Sequence, residues 1–168
     1  MRQRILTLVA LALIGAGSAM PPAFGQVGDT PGDQRVRDAL DELKLKYKVT
    51  DTGLFKLLYN TGDERDQMVY VSSTTTRYDS LEIREVWSIG YECEGPIPGP
   101  VANRLLEASE SLKIGGWSAL KLDSGKRRAV LTAKIAAGSS AKVLGSALEA
   151  VSTSADKVEK ELTSKDDF

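Results

Sequence analysis

The feature that most constrains the fold is a long amphipathic segment near the end of the sequence. Between residues 141 and 163, apolar side chains recur at helical spacing for more than about five turns. The stripe consists of Val143, Leu144, Leu148, Val151, Ala155, Val158 and Leu162. Ser139 or Ser140 can cap its first turn. Such a helix is about 35 Å long at ~1.5 Å per residue, so we expect it to lie across a β-sheet.

Strand-forming segments precede this helix and supply that sheet. β-Branched and aromatic residues, separated by turn residues, predict strands at 54–59, 67–74, 81–91, 117–122 and 127–135. The last two are joined by the short polar turn at residues 123–126, as in a hairpin. Strands that meet through turns of this kind pair in antiparallel fashion.

The strand at 81–91 alternates most clearly between apolar and polar residues. Its apolar odd positions are Leu81, Ile83, Trp87, Ile89 and Tyr91. We expect these residues to face the core, and Glu82, Arg84 and Ser88 to face the wetter side. Glu85 falls on the apolar face, where it is either a buried acid with a raised pKa or a carboxylate with a basic partner or an edge position.

Two further helices complete the predicted order. Thr30 and Pro31 resemble a helix cap and first turn, and the apolar spacing continues to about Lys46. A second helix has Pro100 in its first turn and ends before the glycines at 115–116. The order α-β-β-β-α-β-β-α predicts an α+β domain, with an antiparallel five-stranded sheet and helices packed mainly on one face.

The first 25 residues have the layout of a secretory signal peptide. A basic start is followed by an apolar run of about a dozen residues, too short to span a bilayer, and then by small residues. Cleavage is expected after Gly25 or, alternatively, after Ala19. We therefore predict a periplasmic or secreted protein with a signal peptide at 1–25, a linker at 26–30, a domain at 31–163 and a polar tail at 164–168.

Charge and composition argue against several kinds of function. The net charge is −1, and loss of the two leader arginines makes it about −3, so no nucleic-acid partner and no stable membrane insertion are expected. The sequence has no histidine and one cysteine, Cys93. These counts argue against Ser-His-Asp and Cys-His catalysis and against His- or thiolate-based metal sites. We expect no cofactor, no metal and no catalytic residue.

An alternative function and one candidate polar position remain. Carboxylate chemistry is the hardest to exclude, so a small periplasmic hydrolase or lyase with paired carboxylates stays as the alternative function. Asp156 is predicted to be a structural polar anchor, either in an exposed pair with Lys160 or as a contact for a neighbouring loop.

Three apolar residues form the candidate partner surface. The second predicted helix carries leucines on more than one side, so Leu106 is expected to face outward. Beside the strand pair that contains Trp117 and Leu120, it would contribute to an apolar patch of the kind that marks interfaces. Trp117 itself either belongs to this surface or fills the core.

Three stretches resemble the YbjN domain family, whose fold is that of the type III secretion chaperones. They are LKIGGWSALKLD at 112–123, AVLTAKI at 129–135 and VSTSADKVEKEL at 151–162, which includes the Ala-Asp pair at 155–156. The resemblance spans about residues 31–162 and implies homodimers and polypeptide binding. The chain departs from many such domains in its signal peptide, and from the chaperones in lacking a markedly acidic charge. The expectation is thus an exported, non-enzymatic binding or chaperone-like module that engages itself or a protein or peptide partner.

Overall fold

A computed structural model describes residues 32–168 of the chain. The predicted signal peptide, the linker and the proposed cap at Thr30 lie outside the described residues. The helices are α1 (Gln34–Glu42), α2 (Gly99–Ser111) and α3 (Ala141–Thr163). The strands are β1 (Lys48–Val49), β2 (Phe55–Gly62), β3 (Arg65–Val71), β4 (Thr76–Tyr78), β5 (Leu81–Cys93), β6 (Gly116–Lys121) and β7 (Arg127–Ala136).

The strands form one antiparallel sheet of seven strands in the order β1-β2-β3-β5-β7-β6, and β4 pairs with the beginning of β5. The predicted mixed class and antiparallel pairing are confirmed. The prediction of five strands and the order α-β-β-β-α-β-β-α is wrong, because β1 and β4 add two strands between α1 and α2. They have two and three residues, so their strand conformation depends on the neighbour they pair with and not on a repeating pattern of their own.

The first helix is shorter than its apolar spacing predicts. Asp33 caps α1, because its side chain accepts a hydrogen bond from the Arg35 backbone N–H. The helix ends at Glu42 instead of continuing to Lys46. Lys44 adopts a left-handed backbone conformation with φ of 56°, which stops a right-handed helix.

The helices cover one face of the sheet. From α3, Leu144, Leu148 and Val151 pack against β-strand residues of the same face, and α1 adds Val36 and Leu40 to this cluster. A second, smaller cluster joins α2 to the other end of α3 through Leu105, Ala129 and Val158. The predicted cap and span of α3 match the structure, with Ser140 as the cap residue.

The face assignment predicted for the strand at 81–91 is wrong for most of its length. Arg84, Val86 and Ser88 lie on the helix-covered face of β5 and are at most 2% exposed. Arg84 donates to Asp33 Oδ2 at 2.6 Å, and the Ser88 hydroxyl donates to the Met68 carbonyl at 2.7 Å. These polar side chains can be buried because each one finds a partner, so their polarity does not mark the wet side.

A β-bulge at Gly90 then changes the phase of β5. The register between β5 and β7 shifts between Ile89 and Tyr91, which brings Tyr91 to the helix-covered face. A Cβ on Gly90 would lie 2.5 Å from the Trp117 ring, so the indole occupies space that only glycine leaves free. No helix among residues 32–168 is long and apolar enough to cross a membrane.

We predict that Leu148→Asp unfolds the domain. Leu148 is fully buried between α3 and the sheet, and an unpaired carboxylate there costs several kcal/mol out of a total stability of about 5–15 kcal/mol. Lys157→Ala, on the exposed side of the same helix, is the control and should change the melting temperature little. Equal melting temperatures for Leu148→Asp and the parent would contradict this packing of α3.

Candidate functional site

The backbone of β6 forms one edge of the sheet. This strand pairs with β7 on one side, and no described strand pairs with its other side. The Trp117 N–H donates to the Ser109 hydroxyl of α2 at 3.1 Å, whereas the Leu122 N–H donates to Lys126 across the hairpin. Backbone groups alternate in direction along a strand, so those of Ala119 and Lys121 also point to the open edge.

An apolar groove lies beside this edge, between α2 and β6, and we call it the α2–β6 groove. Its volume is about 350 Å³. It is lined by Pro96, Ile97, Ala102, Leu105, Leu106, Trp117, Ser118, Ala119 and Arg127. The side chain of Leu106 is 66% exposed at the rim, as expected for an outward-facing leucine. An extended segment paired with Ala119 and Lys121 would run beside this groove.

Two hydrogen-bond donors of the groove have no acceptor within the described part of the chain. They are Trp117 Nε1 and Arg127 Nη1, and both atoms are buried. The neighbouring basic side chains, by contrast, have an acceptor. Lys126 and Arg128 both donate to Glu92, at 2.9 and 2.6 Å. Both residues line the groove, and residues 32–168 supply no acceptor for these two atoms.

The structure separates the three residues predicted to form one partner surface. Leu106 and Trp117 line the α2–β6 groove together. Leu120 points to the opposite, uncovered face of the sheet, because it is three residues from Trp117 on the same strand. A strand places odd and even residues on different faces, so Leu120 does not line the α2–β6 groove with the other two, although Trp117 also borders the region that Leu120 lines.

The uncovered face also holds Glu85 and Trp87. Glu85 has a side chain that is 40% exposed and lies 3.5 Å from Lys134, so it has the basic partner that was one of the expected alternatives. Trp87 stacks on Tyr70 of β3 with ring centroids 4.1 Å apart. With Leu120 and the neighbouring residues of β7, they line a shallow region of about 650 Å³.

Asp156 joins α3 to the beginning of β3. It accepts a hydrogen bond from Arg65 Nε at 2.6 Å, and both side chains are only 13% exposed. Its partner is not Lys160, which instead lies 3.6 Å from Asp63. The sequence spacing missed Arg65, because the two paired residues are 91 positions apart.

Glu159 and Asp166 extend this pair into a network around Arg65. Oxygen atoms of Asp156, Glu159 and Asp166 lie within 4.8 Å of one another, an arrangement that could in principle hold a cation. The Arg65 guanidinium lies 3.9 Å from Glu159 and 3.5 Å from Asp166, and thus supplies positive charge to the cluster. Burial raises the pKa of Glu159, although one of its oxygens accepts the Asp167 N–H.

A further carboxylate pair lies beside the last residues of the chain. Glu92 and Asp167 line a cavity of about 350 Å³. Hydrogen bonds from Lys126 and then Arg128 lower the pKa of Glu92. A carboxylate held in its charged form in this way is a poor proton donor.

We predict that Asp156→Ala destabilises the domain by about 3 kcal/mol, because it leaves the Arg65 charge without its closest partner. Glu159→Gln is the matched control. It keeps an acceptor for the Asp167 N–H and removes a charge that burial disfavours, so stability at pH 7 should not fall. Chemical unfolding measures both, and equal stability of Asp156→Ala and the parent would show that Asp156 is not an anchor.

No protein-family model matches the chain, and no curated protein matches its sequence. Among solved structures, the chain is similar to the crystal structure of YbjN from E. coli, which is described as a candidate transcription regulator. The two sequences are 14% identical, the match covers 78% of this chain and 92% of the other, and the TM-score is 0.49. The similarity concerns the fold alone.

Proposed function

We propose that this chain is an exported, non-enzymatic binding module that takes up a protein or peptide partner as an additional strand on β6. The observation that carries the proposal is the open edge of β6, where the backbone groups of Ala119 and Lys121 have no neighbouring strand. An extended segment can bond to such an edge through its main chain, as in other cases of β-strand addition.

The two edges of the sheet differ in a way that favours β6. At the other edge, β1 has two residues, one of them Lys48, and short charged edge strands resist pairing. By contrast, β6 has six residues, and α2 protects only the end at Trp117. A long edge strand without such protection pairs readily with another chain.

The groove supplies side-chain contacts to match the main-chain contacts. A strand added to β6 would direct alternate side chains towards Leu106, Trp117 and Ala119. A second copy of the chain could use the same edge, and this is how we would account for the homodimer that the family resemblance implies. We regard a peptide or protein segment as the primary partner, because the groove is concave.

Two of the carboxylates support a non-enzymatic activity over a hydrolase or lyase, because basic side chains hold them. Glu92, which shares a cavity with Asp167, bonds to two basic side chains. Asp156 is held by Arg65 in the same manner. A carboxylate-based enzyme needs one acid that is free to exchange protons with a substrate.

Export rests on the sequence, and we predict that the protein recovered from cells begins at Gln26 or at Met20. The basic start, the short apolar run and the small residues before both positions are those of a cleaved leader. N-terminal sequencing of the protein from periplasmic and culture fractions measures this. Intact Met1 on a cytoplasmic protein would contradict export.

We predict that Ala119→Pro abolishes the binding of extended peptides and leaves the fold intact. Proline removes the N–H that points to the open edge, and it is tolerated at such positions because no ladder bond is lost. The measurement selects displayed 12-residue peptides on residues 26–168 and then compares their affinities for each variant. Ala119→Ser, which keeps the N–H, is the control. Selected peptides that bind Ala119→Pro as tightly as the parent would overturn the proposed function.

A further inference from the structure

We propose that the α2–β6 groove recognises a glutamate side chain of the added strand, through Arg127 and Trp117. The ligand is then an extended segment with two apolar residues and one glutamate at alternate positions. This inference rests on the proposed function, which it deepens by naming the chemistry of the partner.

The first argument comes from the unsatisfied donors. A buried donor without an acceptor costs about 1–3 kcal/mol, so such atoms mark places where an acceptor is expected. Trp117 Nε1 and Arg127 Nη1 are two such donors, and their residues line the same groove. A carboxylate accepts hydrogen bonds at both of its oxygens and carries the charge that complements a guanidinium.

The second argument comes from the charge at this edge of the sheet. Arg127 and Lys121 are Cα partners across β6 and β7, and neither has an ion pair within residues 32–168. By comparison, Arg104 on α2 is 2.6 Å from Glu161, so its charge is neutralised. The exposed acids Glu107 and Glu110 of α2 also lie in this region, but neither is part of the groove lining. The lining therefore carries a positive charge without a counterion.

The third argument concerns the order of side chains along the ligand. Trp117, Ala119 and Lys121 occupy successive same-side positions on β6, and Arg127 is paired with Lys121. The small side chain of Ala119 leaves room for a large apolar residue beside it. A strand on β6 would thus place apolar residues beside Trp117 and Ala119, and the glutamate beside Lys121 and Arg127.

The test uses the fluorescence of Trp117. The chain has two tryptophans, so Trp87→Phe leaves Trp117 as the reporter in the protein of residues 26–168. The probes are two amidated, acetylated peptides, Thr-Glu-Thr-Val-Thr-Leu-Thr, whose order fits a strand antiparallel to β6, and the same peptide with glutamine in place of glutamate. We expect the glutamate peptide to bind at least about tenfold more tightly, which corresponds to ~1.4 kcal/mol.

Variants of Arg127 test the source of this preference, and a variant of Lys113 is the control. Arg127→Gln should bring the two peptides to equal affinity, and Arg127→Lys should restore part of the preference by restoring the charge. Lys113→Gln removes an exposed charge outside the groove lining and should leave the preference unchanged. Melting curves establish that each variant is folded before its affinity is compared.

The outcomes separate this inference from the proposed function. If the parent binds the two peptides with equal affinity and Ala119→Pro still loses binding, glutamate recognition is overturned. Strand addition is then retained. Binding that Ala119→Pro does not affect would overturn strand addition itself. Two outcomes would overturn the peptide as the occupant of the groove. One is that neither peptide binds. The other is that light scattering shows a dimer, and that Leu106→Glu converts this dimer to a monomer.

Discussion

At Gly90 the backbone of β5 bulges, and the indole of Trp117 packs where any other residue would place its Cβ. The arrangement of the α2 end of the domain follows from this contact. It brings Tyr91 round to the helix-covered face, where Leu105, Ala129 and Val158 form the second core cluster. Because this cluster holds α2 beside β6, the contact at Gly90 also positions the groove and the open edge.

Near this bulge, β3 and β5 pair over a short stretch, and other partners satisfy the polar groups beyond it. These strands pair only from Val69 to Val71. Beyond that point the Met68 N–H donates to the carbonyl of Phe168, and the buried Gln67 side chain donates to Ser88 and to the Ile89 carbonyl. The predicted polar tail is therefore part of the sheet contacts, since its last residue takes the place of a strand neighbour.

The helices cover one face of the sheet, so the uncovered face and the β6 edge are the surfaces left for partners. The uncovered face is largely satisfied, because Glu85 is close to Lys134 and Trp87 stacks on Tyr70. The edge differs, because the backbone groups of Ala119 and Lys121 have no neighbouring strand, and Trp117 Nε1 and Arg127 Nη1 have no acceptor within residues 32–168. At this edge, unpaired strand backbone and side-chain donors without an acceptor occur together.

The sequence alone determined the elements whose signals are local. The cap and span of α3, the β6–β7 hairpin and the outward position of Leu106 depend on spacing within a few turns or one strand, and each can be read from neighbouring residues. Only the tertiary structure decided which face of β5 is buried and which residue holds Asp156. Arg84 and Asp33 are 51 positions apart, and Arg65 and Asp156 are 91 positions apart. A polar side chain is buried when a distant partner satisfies it, and no local pattern contains that partner.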